Sequence, residues 1–106
     1  MSEADDPILA LQREYLAELP AMLLDIRGEI DRFRRGEQAV AASLGARFHR
    51  LAGSGGSYGF PAISSVARET EQWLSTGPPP AEAPRLDAAV NRLEELVGES
   101  AKGLLG

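Results

Sequence analysis

Residues 48–60 read FHRLAGSGGSYGF, and the prediction of the fold depends on this stretch. It contains the only histidine of the chain, His49, and four of the eleven glycines. Glycine in a helix interior costs about 1 kcal/mol relative to alanine, so a glycine-rich segment would ordinarily predict a loop. Five apolar residues nevertheless fall within about 80° of one another on a helical wheel: Val40, Leu44, Phe48, Leu51 and Tyr58. We therefore predict a helix from Glu37 to about Tyr58, with Gly59 as its stop.

Upstream of this helix, one apolar stripe predicts helical structure from Asp6 onward, with Asp6 as the N-cap and Pro7 as the first helical residue. The stripe recurs at steps of three and four residues: Ile8, Leu11, Tyr15, Leu19, Met22, Ile26, Ile30 and Phe33. Pro20 lies inside it and would remove a backbone donor, so we expect a kink or break near Glu18–Leu19. The stripe then predicts a short N-terminal helix and a longer helix that ends at Arg34–Gly36.

Downstream, Phe60-Pro61 is predicted to open a third helix, whose apolar stripe includes Trp73 as a core residue. Glu69 and Glu71 are interpreted as part of its solvated face. Residues 77–84, GPPPAEAP, predict a stiff loop, and the last helix should begin near Arg85. No segment alternates with the period of a strand. We predict an all-α fold, an antiparallel up-down-up-down four-helix bundle with a short N-terminal capping helix, in one domain spanning residues 1–106.

Composition excludes several classes of function. The chain has 106 residues, no cysteine and a net charge of −5. It therefore lacks disulfides, thiolate nucleophiles and cysteine zinc sites, and it has no basic patch for nucleic acid. No window approaches the ~20 apolar residues of a membrane span, and the acidic first residues differ from a secretory signal. A cytoplasmic protein is expected.

The face of the helix around His49 has an unusual composition. His49 lies about 180° from Val40 on the wheel, so it should be exposed in the middle of a helix. Its neighbours on that face are all very small: Ala42, Gly45, Ala46, Ala52, Gly53 and Gly56. A solvated helix face usually carries glutamate, lysine and arginine. The bare face would let a partner approach the imidazole, whose free ring nitrogen is a nucleophile. The simpler alternative is a solvated surface histidine without a functional role.

The order of His49, Leu51, Gly53 and Gly59, H-x-L-x-G-x-x-x-x-x-G, resembles the signature of histidine-containing phosphotransfer (HPt) domains. The similarity continues into residues 60–74, where Ala67 and Glu71 occupy positions typical of that family. It also includes the N-terminal helix with its ELP at residues 18–20, so that the resemblance covers nearly the whole chain.

This resemblance implies a module of a two-component phosphorelay in which His49 carries a phosphoryl group between aspartates. The expected partners are a response-regulator receiver domain, a hybrid sensor histidine kinase, or both. The receiver would bring the magnesium, so no intrinsic cofactor or metal site is expected. The chain has no kinase ATP-binding motif and would be a monomeric carrier rather than an enzyme. The predicted docking surface around His49 comprises Gly45, Arg50, Ala52, Gly53 and Gly56.

The sequence departs from the family at Ala52, because members often have lysine three residues after the histidine. The charge of that lysine would help to hold the phosphoryl group. Arg47 and Arg50 are near in sequence, but both lie about 100° or more from His49 on the wheel. The sequence therefore does not identify the source of positive charge. It also does not identify the cognate kinase and receiver, the direction of phosphate flow, or whether the module stands alone.

The main alternative is a helical docking or adaptor module that binds a receiver or another signalling partner without carrying phosphate. GSGGSYG at residues 53–59 fails as a phosphate loop, because no preceding strand and no following Lys-Ser/Thr are present. A metal-carrying bundle needs paired Glu-x-x-His motifs, which a single histidine cannot provide. Hydrolysis by Ser54 or Ser57 with His49 lacks a placed acid.

Overall fold

The computed structural model describes residues 6–105, which form four α-helices and one short 3₁₀-helix. Helix α1 spans Pro7–Arg34, α2 spans Ala39–Ser57, α3 spans Pro61–Leu74 and α4 spans Ala83–Leu105, and the 3₁₀-helix is Pro80–Glu82. No strand occurs within residues 6–105, in agreement with the predicted all-α class. Residues 1–5 and 106 of the predicted domain lie outside the described residues.

The four helices pack in chain order, so that each helix contacts the one before it and the one after it, and α4 closes the bundle against α1. Neighbouring helices run in opposite directions. Arg27 of α1 pairs with Glu94 of α4, whereas Arg34, further along α1, pairs with Asp87, an earlier residue of α4. The contacts of α1 with α2 and of α2 with α3 show the same opposed order, so α4, which is antiparallel to α1, is also antiparallel to α3. The predicted up-down-up-down arrangement is confirmed.

The core is built from the apolar stripes that the spacing predicts. All four helices contribute side chains that are less than 2% exposed: Phe48, Leu19, Ile26, Ile30, Leu44, Leu51, Ile63, Leu86, Leu93 and Val90. Full burial of one such side chain is worth about 1.5–3 kcal/mol, so these stripes hold the bundle together. Trp73 is only half-buried, however, with the guanidinium carbon of Arg85 lying 5.0 Å from its ring centroid.

Helix α1 continues through Pro20, and the predicted break near Glu18–Leu19 is wrong. The ring of Pro20 faces solvent, while Leu16, Leu19 and Leu23 around it are buried in the core. The burial of a stripe that crosses the proline without interruption outweighs the cost of proline in a helix, about 3 kcal/mol. The bundle consequently has no separate N-terminal capping helix, because α1 is one helix of 28 residues, about 42 Å long.

The proline-rich connection is shorter than predicted. Only the first part of residues 77–84 is an irregular loop, because Pro80–Glu82 forms the 3₁₀-helix and α4 already begins at Ala83 rather than near Arg85. Pro84 lies in the first turn of α4, where the missing N–H has no intrahelical partner to lose. Ala83 itself is fully buried, which anchors the start of α4 to the core.

Candidate functional site

The centre of α2 presents His49 to solvent. Its side chain is 76% exposed, whereas Phe48 and Leu51 on either side are 0% and 1% exposed. The predicted exposure of His49 is therefore confirmed: the core stripe of α2 points inward and the imidazole points outward. Exposure of this kind makes the ring accessible to another protein without unfolding any part of the bundle.

A carboxylate from the neighbouring helix contacts the imidazole. The Oε2 atom of Glu71, on α3, lies 2.6 Å from the Nδ1 atom of His49. A neutral histidine in this contact carries its proton on Nδ1 and donates it to the carboxylate, which leaves Nε2 with the free lone pair. The interpretation of Glu71 as part of a merely solvated face is wrong, since its side chain is 29% exposed and oriented towards His49.

A close approach of α2 and α3 brings these two residues together. A Cβ atom added to Gly55 would lie 3.1 Å from the backbone nitrogen of Ser64 and 3.2 Å from Cγ2 of Ile63. The Ser64 hydroxyl donates to the carbonyl of Ala52 over 2.6 Å. Gly59, with a φ of 85°, closes the turn between the two helices in the left-handed conformation that favours glycine. This packing fixes the register in which Glu71 faces His49.

Gly55 is a structural residue of the site that the sequence analysis did not single out. The sequence-based interpretation places Gly53 and Gly56 on the outer face and Gly59 at the helix stop, and it gives Gly55 no separate role. It is buried, whereas Gly53 and Gly56 are exposed. Its sequence signal is its position four residues after Leu51, on the buried side of the helix.

The predicted docking residues do not all lie on one open surface. Arg50, Gly53 and Gly56 are exposed, and Gly45 is half-buried. Ala52 is only 5% exposed, so its predicted place on the open face is wrong. The reason is the proximity of α3, which covers the side of α2 that Ala52 occupies.

A groove of about 400 Å³ extends from His49 towards the N-terminal end of α2. Small residues of α2 line it together with the last residue of α3 and its C-cap: Ala41, Ala42, Gly45, Ala46, Leu74 and Ser75. His49 and Glu71 lie at one end of the groove. Open space therefore lies on both sides of the histidine along α2. A Cβ atom added to Gly45 or to Gly53 would meet nothing within 4 Å.

Two further properties of residues 6–105 concern ligands and membranes. They contain no cluster of three or more histidine, aspartate or glutamate side chains that could hold a metal ion. None of their helices combines the length and apolar character that crossing a bilayer requires.

The chain is similar to a known protein family. The family model described as the Hpt domain matches residues 10–101, which is most of the 106-residue chain. The matched range includes all of α2 and α3 and therefore both His49 and Glu71. Neither the curated proteins nor the solved structures gave a significant match.

Proposed function

The chain belongs to the Hpt domain family, the phosphotransfer modules of two-component signalling, and we propose that it carries a phosphoryl group on Nε2 of His49 between aspartates of receiver domains. One observation carries the proposal. The imidazole is 76% exposed, and Glu71 occupies its Nδ1 atom at 2.6 Å. The nitrogen that remains available to a partner is therefore Nε2.

The proposed step needs no proton transfer. The lone pair of Nε2 attacks the phosphorus of the phosphoaspartate, a P–N bond forms, and the P–O bond breaks with its electrons leaving on the aspartate carboxylate. The imidazole becomes positively charged while it keeps its Nδ1–H. The Glu71 carboxylate, 2.6 Å away, holds the ring in place and stabilises this charge. The same path in reverse returns the phosphoryl group to a second aspartate.

In this proposal the receiver supplies the magnesium ion and its acidic pocket, and the bundle supplies a rigidly held nucleophile. Phosphoryl transfer depends mainly on positioning and on charge stabilisation, so a small helical protein is sufficient. Gly45, Gly53 and Gly56 flank His49 on α2, and the first two leave open space where a side chain would otherwise stand. We assign these glycines and Arg50 to the surface that the receiver contacts.

The test uses receiver domains phosphorylated with radiolabelled acetyl phosphate, incubated with the chain and Mg²⁺. The expected result is an acid-labile, base-stable phosphate on the bundle, and none on the His49→Gln variant. Because the side chain is largely exposed, His49→Gln should unfold at the same urea concentration as the wild type.

Two results would overturn the proposal. The first is a wild-type chain that binds a receiver but takes no label, which would favour the adaptor function without phosphate. The second is a label that persists in His49→Gln. An incubation with ATP alone serves as the negative control.

A further inference from the structure

The carboxylate of Glu71 lies beside His49, but no positively charged side chain of α2 lies on the same side of the imidazole. A phosphoryl group on Nε2 would bring about 1.5–2 negative charges next to the carboxylate of Glu71. Such charge needs a cation nearby. The position three residues after His49 is Ala52, which has no charge and is 5% exposed. Another residue of the chain must provide the charge if the bundle provides it at all.

The two arginines of α2 are directed towards α1 and not towards α3, where Glu71 lies. Arg47 donates from Nε to Oε1 of Glu29 over 2.9 Å, and Glu29 is only 9% exposed. Withdrawing Arg47 would leave the buried carboxylate without its cation and with only the Ser43 hydroxyl as a donor, which is costly. Arg50 lies beside Glu18 and Tyr58 in the cleft between α1 and α2. Both side chains are thus directed towards α1, whereas Glu71 and its contact with His49 lie on the α3 side.

The register of α2 and α3 places Arg68 opposite Ala52. Glu71 faces His49, and Ser64 faces Gly55. Because the two helices are antiparallel, the residue three positions before Glu71 on α3 lies opposite the residue three positions after His49 on α2. These two residues are Arg68 and Ala52. Arg68 is also four residues after Ser64, so that it lies on the same face of α3 as the two residues that contact α2.

We propose that Arg68 of α3 provides the positive charge at the phosphoryl group of His49 and so replaces, from the facing helix, the lysine that the family often has at the position of Ala52. This inference rests on the proposed function. Arg68 is exposed and forms no ion pair with any residue of the range 6–105. Its guanidinium is therefore available, and its planar fork of donors matches the oxygens of a phosphoryl group.

The side of α3 that faces α4 is occupied by other residues. Val66, Glu69 and Thr70 line the cleft that α3 forms with α4, and Arg68 is not among the residues of that cleft. Arg68 and Glu71 would then act on opposite ends of the phosphoimidazole, with the carboxylate at Nδ1 and the guanidinium at the phosphoryl oxygens.

The test separates this inference from receiver docking. Phosphoramidate is a small phosphoryl donor that needs no receiver, and the single histidine of the chain makes the site of modification unambiguous. Titration of the phosphorylated chain by ³¹P NMR reports the second ionisation of the phosphoryl group. We expect Arg68→Gln to raise the midpoint by about half a pH unit, the effect of one cation about 6 Å away in water. Arg68→Lys should retain most of the wild-type value.

Arg35→Gln is the matched control, because it removes an exposed arginine at the end of α1, from which about 15 Å of α2 separates His49, and it should leave the midpoint unchanged. Transfer from a phosphorylated receiver should slow about tenfold in Arg68→Gln, the loss of one charge-assisted contact. An unchanged midpoint in Arg68→Gln, or an equal or larger shift in Arg35→Gln, overturns the inference alone. A wild-type chain that takes no phosphate on His49 from either donor overturns the proposed function and this inference with it.

Discussion

The backbones of α2 and α3 approach so closely at Gly55 and Ser64 that a side chain on Gly55 would lie 3.1 Å from the amide nitrogen of Ser64. The carbonyl of Gly55 also accepts the amide of Phe60 over 2.7 Å, which ties the turn to the end of α2. The close approach at Gly55 is six residues, or about 1.7 helical turns, from His49. It sets the distance between the helices and so determines whether Glu71 can touch the imidazole.

Replacing Gly55 by alanine should destabilise the bundle, because the backbone of α3 must move to accept the methyl group. We expect a loss of about 1–3 kcal/mol in the free energy of unfolding, reduced by the better helix propensity of alanine. Gly53→Ala is the matched control on the open side of the same helix, where nothing lies within 4 Å, and it should gain about 0.5–1 kcal/mol. Urea denaturation of the two variants measures the difference. Equal effects of the two substitutions would contradict the close approach.

The helices, the core and the exposure of His49 could be predicted from the sequence, because they follow from periodicity within one helix. The spacing of Val40, Leu44, Phe48 and Leu51 determines which side of α2 is buried, and His49 lies on the other side. The continuity of α1 could not be predicted in the same way. The effect of Pro20 depends on how much apolar surface its neighbours bury in the bundle, which local sequence does not state.

The partner of His49 depends on the register between two helices, and no pattern within either helix reveals it. Glu71 has the sequence context of an ordinary exposed glutamate, next to Thr70 and Gln72. Ala52 likewise appears equivalent to Gly53 and Gly56 until α3 is placed against it, whereas Gly55 already lies within the core stripe on the wheel. The physical reason is that an angular position on a wheel gives the direction of a side chain but not the distance to the neighbouring helix.

Burial raises the pKa of Tyr15 above its usual value of 10.0, although its hydrogen bond with Ser54 acts in the opposite direction. The folded state therefore keeps the phenol proton at pH values where the unfolded chain has lost it. The stability that this provides is complete below pH 10.0 and is lost as the pH rises through the pKa of the folded state. Urea denaturation between pH 8 and 11 should show a steeper decline for the wild type than for Tyr15→Phe. Parallel curves would contradict the burial of this hydroxyl.

A charged side chain at Gly53 should block the approach of a receiver to His49. Gly53→Glu fills open space four residues after the histidine and adds a negative charge near the incoming phosphoryl group. We expect receiver binding, measured by calorimetry, to weaken at least tenfold, or by about 1.4 kcal/mol. Gly98→Glu is the control, because Gly98 is an exposed helical glycine of α4 that also has nothing within 4 Å. Equal binding by the two variants would place the docking surface elsewhere.

Substitutions of Glu71 separate its hydrogen bond from its charge. Glu71→Gln keeps an oxygen that can accept Nδ1–H, so the tautomer of His49 should persist and only the carboxylate charge is lost. Glu71→Ala removes both, and the proton can then move to Nε2 and occupy the lone pair that attacks phosphorus. We expect the rate of transfer from a phosphorylated receiver to fall a few-fold in Glu71→Gln and about tenfold or more in Glu71→Ala.

The direction of the Glu71→Gln effect depends on two opposed electrostatic interactions. The carboxylate attracts the positive imidazole that forms during transfer, and it repels the phosphoryl group. The attraction should prevail, because Oε2 lies 2.6 Å from Nδ1 whereas the phosphoryl group is attached across the ring at Nε2, and interaction energy falls with distance. A faster Glu71→Gln variant would show that repulsion dominates. ¹⁵N NMR of His49 provides the check on the tautomer, since a proton that stays on Nδ1 in Glu71→Ala would remove the positioning role of Glu71.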